Sequence, residues 1–211
     1  MKTKKQTLEI IERLEREYPL AECSLNYDEA WQLLVSVRLA AQCTDARVNL
    51  VTPALFAAFP TAQAMAQATP EQVEPYIKSC GFYHGKARDI VAAAEMLVTR
   101  FDGRVPDNMD DLLALPGVGR KSANLILGDV YNIPGSVVVD THCIRLTNRI
   151  GLVDGLKEPA KIETRLRALL PPEKSNDFCH RMVLHGRAVC TARSPACARC
   201  CLYDLCSRKG V

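Results

Sequence analysis

Apolar residues recur at three- and four-residue intervals along nearly the whole chain, and period-two alternation is almost absent. Leu8, Ile11, Leu14 and Tyr18 mark one such face. Ala30, Trp31, Leu33, Leu34, Val37 and Ala41 mark a second, and Val48, Val51, Leu55 and Phe59 a third. A repeat near 3.6 residues gathers these side chains on one side of a helix, whereas a half-buried strand needs alternation. The chain is therefore read as all-α. Pro19 follows the end of the first helix, Asp28 is the expected N-cap of the second, and Thr69-Pro70-Glu71-Gln72 is a helix-start signal. Tyr76 to Ala87, broken by Gly81 and Gly85, reads as a loop carrying aromatics and lysines, with a helix from Ala87 to Phe101 behind it. Further helices are expected over 122–131, 159–170 and 173–189. Val137-Val138-Val139 is too short to read as a strand.

One interruption stands out. Leu112, Leu113 and Leu115 approach Pro116-Gly117-Val118-Gly119, after which Arg120-Lys121-Ser122-Ala123-Asn124 resumes a helical pattern. This spacing predicts a glycine hairpin between two helices, with Gly119 supplying positive φ or close backbone approach. A helix N-terminus leaves N–H groups unpaired, and these can hold an anion such as a phosphate. It is not a Walker loop, because the spacing and the preceding strand are both missing. Taken alone, the glycines fit an ordinary helix–helix turn equally well, and Lys121 fits a phosphate contact. Asp140 sits where a helix N-cap belongs, before Ile144, Leu146 and Ile150.

With 211 residues the chain can bury a proper core as one large domain or two small ones. A net charge of +3 is compatible with nucleic acid but too small to establish it. No uncharged run is long enough to span a bilayer, and the basic start leads into an amphipathic helix rather than a signal-peptide core. A cytoplasmic, nucleoid-associated protein is expected. Ten cysteines then argue for thiols or metal ligands rather than disulfides. Four of them, Cys190, Cys197, Cys200 and Cys206, follow the spacing C-x6-C-x2-C-x5-C. Four thiolates this close can converge on one centre, and iron–sulfur and zinc are equally acceptable on these grounds. Cys201 leaves one ligand ambiguous by proximity.

The hairpin Leu-Pro-Gly-Val-Gly-Arg-Lys, the run Val138-Val139-Asp140-Thr141-His142, the cysteine spacing, Ala41-Gln42-Cys43-Thr44-Asp45 and Leu184-His185-Gly186-Arg187 all occur in this one chain. Together they closely resemble the endonuclease III family of the helix-hairpin-helix DNA glycosylases. The resemblance covers essentially the whole chain. It implies two α-helical lobes: a six-helix domain over 23–132, and an iron–sulfur domain of 1–22 and 133–211, with substrate in the cleft between them. It also implies a [4Fe–4S] cluster on Cys190, Cys197, Cys200 and Cys206, leaving Cys201 as a small buried apolar residue.

The implied activity is a bifunctional DNA glycosylase and abasic-site lyase, a monomer acting on oxidised pyrimidines in double-stranded DNA. Lys121 would be the nucleophile and Asp140 the catalytic carboxylate. Arg120 and the helix N-terminus would both oppose the positive charge on Lys121, which favours attack. Relatives that cut only the glycosidic bond lack this lysine. By the same resemblance Gln42 fills the space left by the extruded base, and Phe82 wedges the opposite strand where the family often has leucine. The amides of Gly117 and Gly119 would hold phosphate, with Arg193 and Lys86 as weaker electrostatic contacts. The loop between Cys190 and Cys197 has one basic residue where relatives often have several. The four histidines read as structural. Two alternatives stay open: a mismatch thymine or uracil glycosylase on the same scaffold, and a non-catalytic iron–sulfur DNA-binding module.

Overall fold

A computed structural model describes residues 1–211. Eleven α-helices and three short 3-10 turns follow one another along the chain, with no strand. Val137, Val138 and Val139 are buried and belong to neither helix nor strand. No helix is long and apolar enough to cross a membrane. The chain divides into two compact units, one of Cys23–Tyr131 and one that joins Met1–Glu22 to Asn132–Val211.

Helix α1 (Lys4–Glu17) opens on a capping box in which the Thr3 hydroxyl oxygen accepts from the Gln6 amide, and the Gln6 side chain accepts from the Thr3 amide. The unit over Cys23–Tyr131 then holds α2 (Ala30–Leu39), α3 (Asp45–Ala58), α4 (Ala62–Ala66), α5 (Pro70–Ile77), α6 (Tyr83–Arg100), α7 (Met109–Ala114) and α8 (Arg120–Asp129). Helix α6 is the spine, with α2, α4 and α5 packed along it, while α8 packs on α2 and α7. Leu33, Leu39, Leu55, Met65 and Ile77 are fully enclosed. Each such side chain contributes about 1.5–3 kcal/mol by leaving water. The other unit adds α9 (Thr141–Ile150), α10 (Pro159–Leu169) and α11 (Ser175–Ala188). Here α11 packs on both α1 and α9, around Ile10, Leu14, Leu146, Phe178 and Met182.

Several local expectations move. The second helix is capped at Glu29 rather than Asp28, because the Gln32 side chain reaches back to both amides, at 2.7 Å to Asp28 and 3.2 Å to Glu29. The loop expected from Tyr76 to Ala87 is mostly structured. A 3-10 turn covers Lys78–Cys80, and α6 starts at Tyr83, with Gly85 inside it. One glycine within a helix is outweighed by the buried face that Ala87, Ile90 and Val91 continue. The helix expected to begin at 173 opens as a 3-10 turn over Pro172–Lys174 before α11.

Candidate functional site

The hairpin forms where the glycines lie, but they divide the work differently from expectation. Gly117 carries the positive φ, 76°, while Gly119 has φ −103° and serves as the N-cap of α8. A Cβ on Gly117 would sit 2.7 Å from the Arg38 side chain and 3.0 Å from Cβ of Asp89, whereas one on Gly119 would meet nothing within 4 Å. Arg38 is held there by Asp89, whose carboxylate accepts from Nε at 2.6 Å. Gly117 is thus the close-packed member, and Gly119 faces open space. No side chain caps α8, so its first turn presents a positive dipole end to anything that approaches. Lys121 is exposed in that turn, next to exposed Arg120.

Two further turns in the same unit carry exposed side chains in the left-handed region, which bulky residues rarely occupy. Gln42 has φ 55°, just past the end of α2. Phe82 has φ 49°, immediately before α6, and is 72% exposed. Strain of this kind costs on the order of 1–3 kcal/mol and clusters at functional positions. Lys86 is not a surface cation. It is 1% exposed, and its Nζ donates to the carbonyls of Leu39 and Cys80, so the expected electrostatic contact with DNA is overturned. Four residues after Phe82 on α6, it faces the apolar side of the helix, and its stem is long enough to lie within the core.

In the other unit, Asp140 is the N-cap of α9, its Oδ1 accepting from the Cys143 amide at 2.7 Å. The second carboxylate oxygen is not used by this cap, and the side chain is half-buried. Cys190, Cys197, Cys200 and Cys206 line one cavity, and Cys201 does not. All ten cysteines are free thiols. Arg149 donates to the Cys190 sulfur at 3.4 Å, and its guanidinium is pinned by the carbonyls of Thr191 and Ala192. His185 places Nε2 3.3 Å from the Cys200 sulfur and Nδ1 3.0 Å from the Tyr18 hydroxyl. If the tyrosine donates to Nδ1, the Nε2 hydrogen points at the sulfur. Cys201 S–H, His185 and the Leu202 amide together hold the Cys200 thiol down to about 4. Arg193 is exposed on the loop between the first two of these cysteines.

Residues 35–172 match the HhH-GPD superfamily of base excision DNA repair proteins, and residues 190–206 match the iron–sulfur binding domain of endonuclease III. An endonuclease III of Synechocystis is 46% identical, with 98% of this chain and 94% of that one covered. That of Escherichia coli is 39% identical over 98% of this chain and 97% of its own. The chain belongs to the endonuclease III family. A solved covalent intermediate of an endonuclease III trapped on DNA superposes with a TM-score of 0.92 at 37% identity, covering 99% of this chain and 97% of that one. A thermostable thymine-DNA glycosylase has a TM-score of 0.86 at 20% identity over 97% of this chain, which shows a shared fold alone.

The endonuclease III iron–sulfur domain carries a [4Fe–4S] cluster, and the residues present fit one. The four spaced cysteines share a cavity, Arg149 donates to the Cys190 sulfur, His185 Nε2 lies 3.3 Å from the Cys200 sulfur, and the Arg208 amide lies 3.4 Å from the Cys206 sulfur. No three His, Cys, Asp or Glu side chains are gathered so as to hold a single metal ion. A cluster instead spreads its four thiolates over several irons. Cys201 is half-buried rather than buried. Its carbonyl accepts from Arg13 at 3.1 Å. Arg149 and the Arg38–Asp89 pair had no motif to reveal them, because their role depends on partners far away in sequence.

Proposed function

We propose that this endonuclease III uses Lys121 as its nucleophile and Asp140 as its catalytic carboxylate. The reaction is excision of an oxidised pyrimidine followed by cleavage of the abasic strand. The observation that carries the assignment is the exposed Lys121 amine in the first turn of α8, a turn that no side chain caps and that follows directly on the glycine hairpin. Neutral Nζ attacks C1′ of the damaged nucleotide as the glycosidic bond breaks, and the bonding pair leaves with the base. Ring opening gives an imine to Lys121. Loss of a C2′ proton then expels the 3′ phosphate by β-elimination, and water releases the lysine. Asp140 takes up the lysine proton or faces the positive charge that develops on the sugar. Its cap bond uses one oxygen, which orients the carboxylate and leaves the other available.

Double-stranded DNA with a damaged base or abasic site is the substrate, bound by a monomer in the cytoplasm. The amides of Gly117 and Gly119 hold a phosphate, Gln42 fills the gap in the stack, and Phe82 wedges the opposite strand; Arg193 adds a single positive charge at its loop. Cys190, Cys197, Cys200 and Cys206 hold the cluster, which anchors the C-terminal segment in the unit that carries Asp140. The 23–132 segment supplies the hairpin, and 1–22 with 133–211 forms the iron–sulfur domain.

Borohydride reduction on a duplex with an abasic site tests the assignment. Cluster-loaded wild-type protein is expected to give a covalent adduct, and Lys121→Ala to give none. No adduct from the wild type would overturn the lyase reading in favour of a glycosylase without strand cleavage or a pure binder.

A further inference from the structure

The turns bearing Gln42 and Phe82 are forty residues apart in sequence, yet one buried side chain binds both. Lys86 donates from Nζ to the carbonyl of Leu39 at 2.7 Å and to that of Cys80 at 2.9 Å. Leu39 is the last residue of α2, three before Gln42, and Cys80 ends the 3-10 turn two residues before Phe82. Both acceptors are therefore C-terminal carbonyls, which lack helical partners and sit at the negative end of the backbone dipole. An ammonium answers both deficits at once. Burial works against its charge, with the nearby Cys43 and Cys80 sulfurs opposing that effect. Burial and the neighbouring Cys43 push the Cys80 thiol up. Cys43 follows Gln42 directly and Cys80 precedes Gly81-Phe82, so these thiols belong to the same two turns.

An interior lysine is expensive when methionine or leucine would fill the same space. Retaining it makes sense where the two turns must keep a set distance. The two left-handed residues follow the two carbonyls that this one ammonium holds, by three and two residues, so both turns lose an anchor if it goes. We propose that Lys86 is a positioning residue that ties the Gln42 turn to the Phe82 turn and so sets the spacing of the two side chains entering the duplex. The proposal rests on the reading of Gln42 and Phe82 as the residues that fill and wedge the stack.

Single-stranded DNA separates this role from general support of the fold. It has no opposite strand to wedge and no stack to refill, whereas the Schiff-base chemistry proposed for Lys121 needs only the abasic sugar. Lys86→Met is expected to lose about 10²-fold in single-turnover excision on a duplex lesion, the scale of a misplacement near 1 Å. Its borohydride adduct with a single-stranded abasic oligonucleotide is expected to form at the wild-type rate. Lys86→Arg, which keeps charge and donors, recovers most of the duplex activity. Parallel loss on both substrates, no loss on either, or no recovery with arginine would overturn the strut. An absent adduct from the wild type on the duplex would sink the lyase reading itself, which marks the two failures apart. Should Lys86→Met not fold, 15N NMR of the wild-type lysine ammonium groups decides the matter. One slowly exchanging signal, missing in Lys86→Arg, is expected, and rapid exchange of every lysine ammonium would refute the buried bonds.

Discussion

Gly117 and Gly119 lie two residues apart in one hairpin, yet alanine is expected to act oppositely at each. At Gly117 the φ of 76° costs alanine about 1–2 kcal/mol. The new Cβ would also stand 2.7 Å from Arg38 Cδ and Nε. Arg38 must swing away, which breaks its paired contact with Asp89 and adds about 1 kcal/mol for a partly exposed pair. Together Gly117→Ala loses about 2–3 kcal/mol, or roughly 5–10 °C in a chain of this size. At Gly119 the φ of −103° suits any residue, and a Cβ has open space around it. Alanine is the poorer N-cap, but it also lowers the entropy of the unfolded chain, and the two effects nearly cancel to within about 0.5 kcal/mol. The methyl group would instead stand where the proposed phosphate contact meets the first amides of α8. Losing one charge-assisted N–H···phosphate bond, worth about 1.5–3 kcal/mol, weakens binding about tenfold or more. Urea melts followed by circular dichroism, with fluorescence anisotropy on a duplex containing an uncleavable abasic analogue, measure both. Equal stability losses would refute the division of labour between the glycines. Wild-type affinity in Gly119→Ala would refute the phosphate contact.

Lys121→Gln is expected to abolish strand cleavage on abasic DNA while binding stays within a few-fold, because one positive charge is a small share of the phosphate electrostatics; nicking at the native rate would show another nucleophile. Asp140→Asn keeps an oxygen for the Cys143 amide, so it is expected to lose no more than about 1 kcal/mol of stability while base release falls sharply. Full glycosylase activity with a lowered melting temperature would make Asp140 a cap and nothing more. Cys201→Ala is expected to keep the brown chromophore and Cys200→Ala to lose it or make it labile, since Cys200 lines the shared cavity and Cys201 does not. Iron and sulfide analysis giving the reverse would place Cys201 in the ligand set.

Residue order alone was enough for features that depend on near neighbours. The helical period, the Thr69 start, the hairpin breakers, the Asp140 cap and the spacing of the four cysteines are all local patterns. Backbone sterics and capping chemistry act over a few residues, and such patterns therefore carry their meaning wherever the chain goes. Five separated motifs in one chain also sufficed to indicate the family. Tertiary structure decided whatever depends on distant partners. Gly117 rather than Gly119 is the glycine with no room for a Cβ because the Arg38 and Asp89 side chains stand against it. Lys86 leaves the surface because the ends of two other elements offer it carbonyls. His185 and Arg149 become partners of cysteine sulfurs only when α11 and α9 bring them to the C-terminal loop. A lysine, an arginine and a histidine each look alike in sequence whether solvated or buried. Their charge and hydrogen-bonding demands are met by whatever the fold brings alongside, and nothing in the neighbouring residues states which partners those will be.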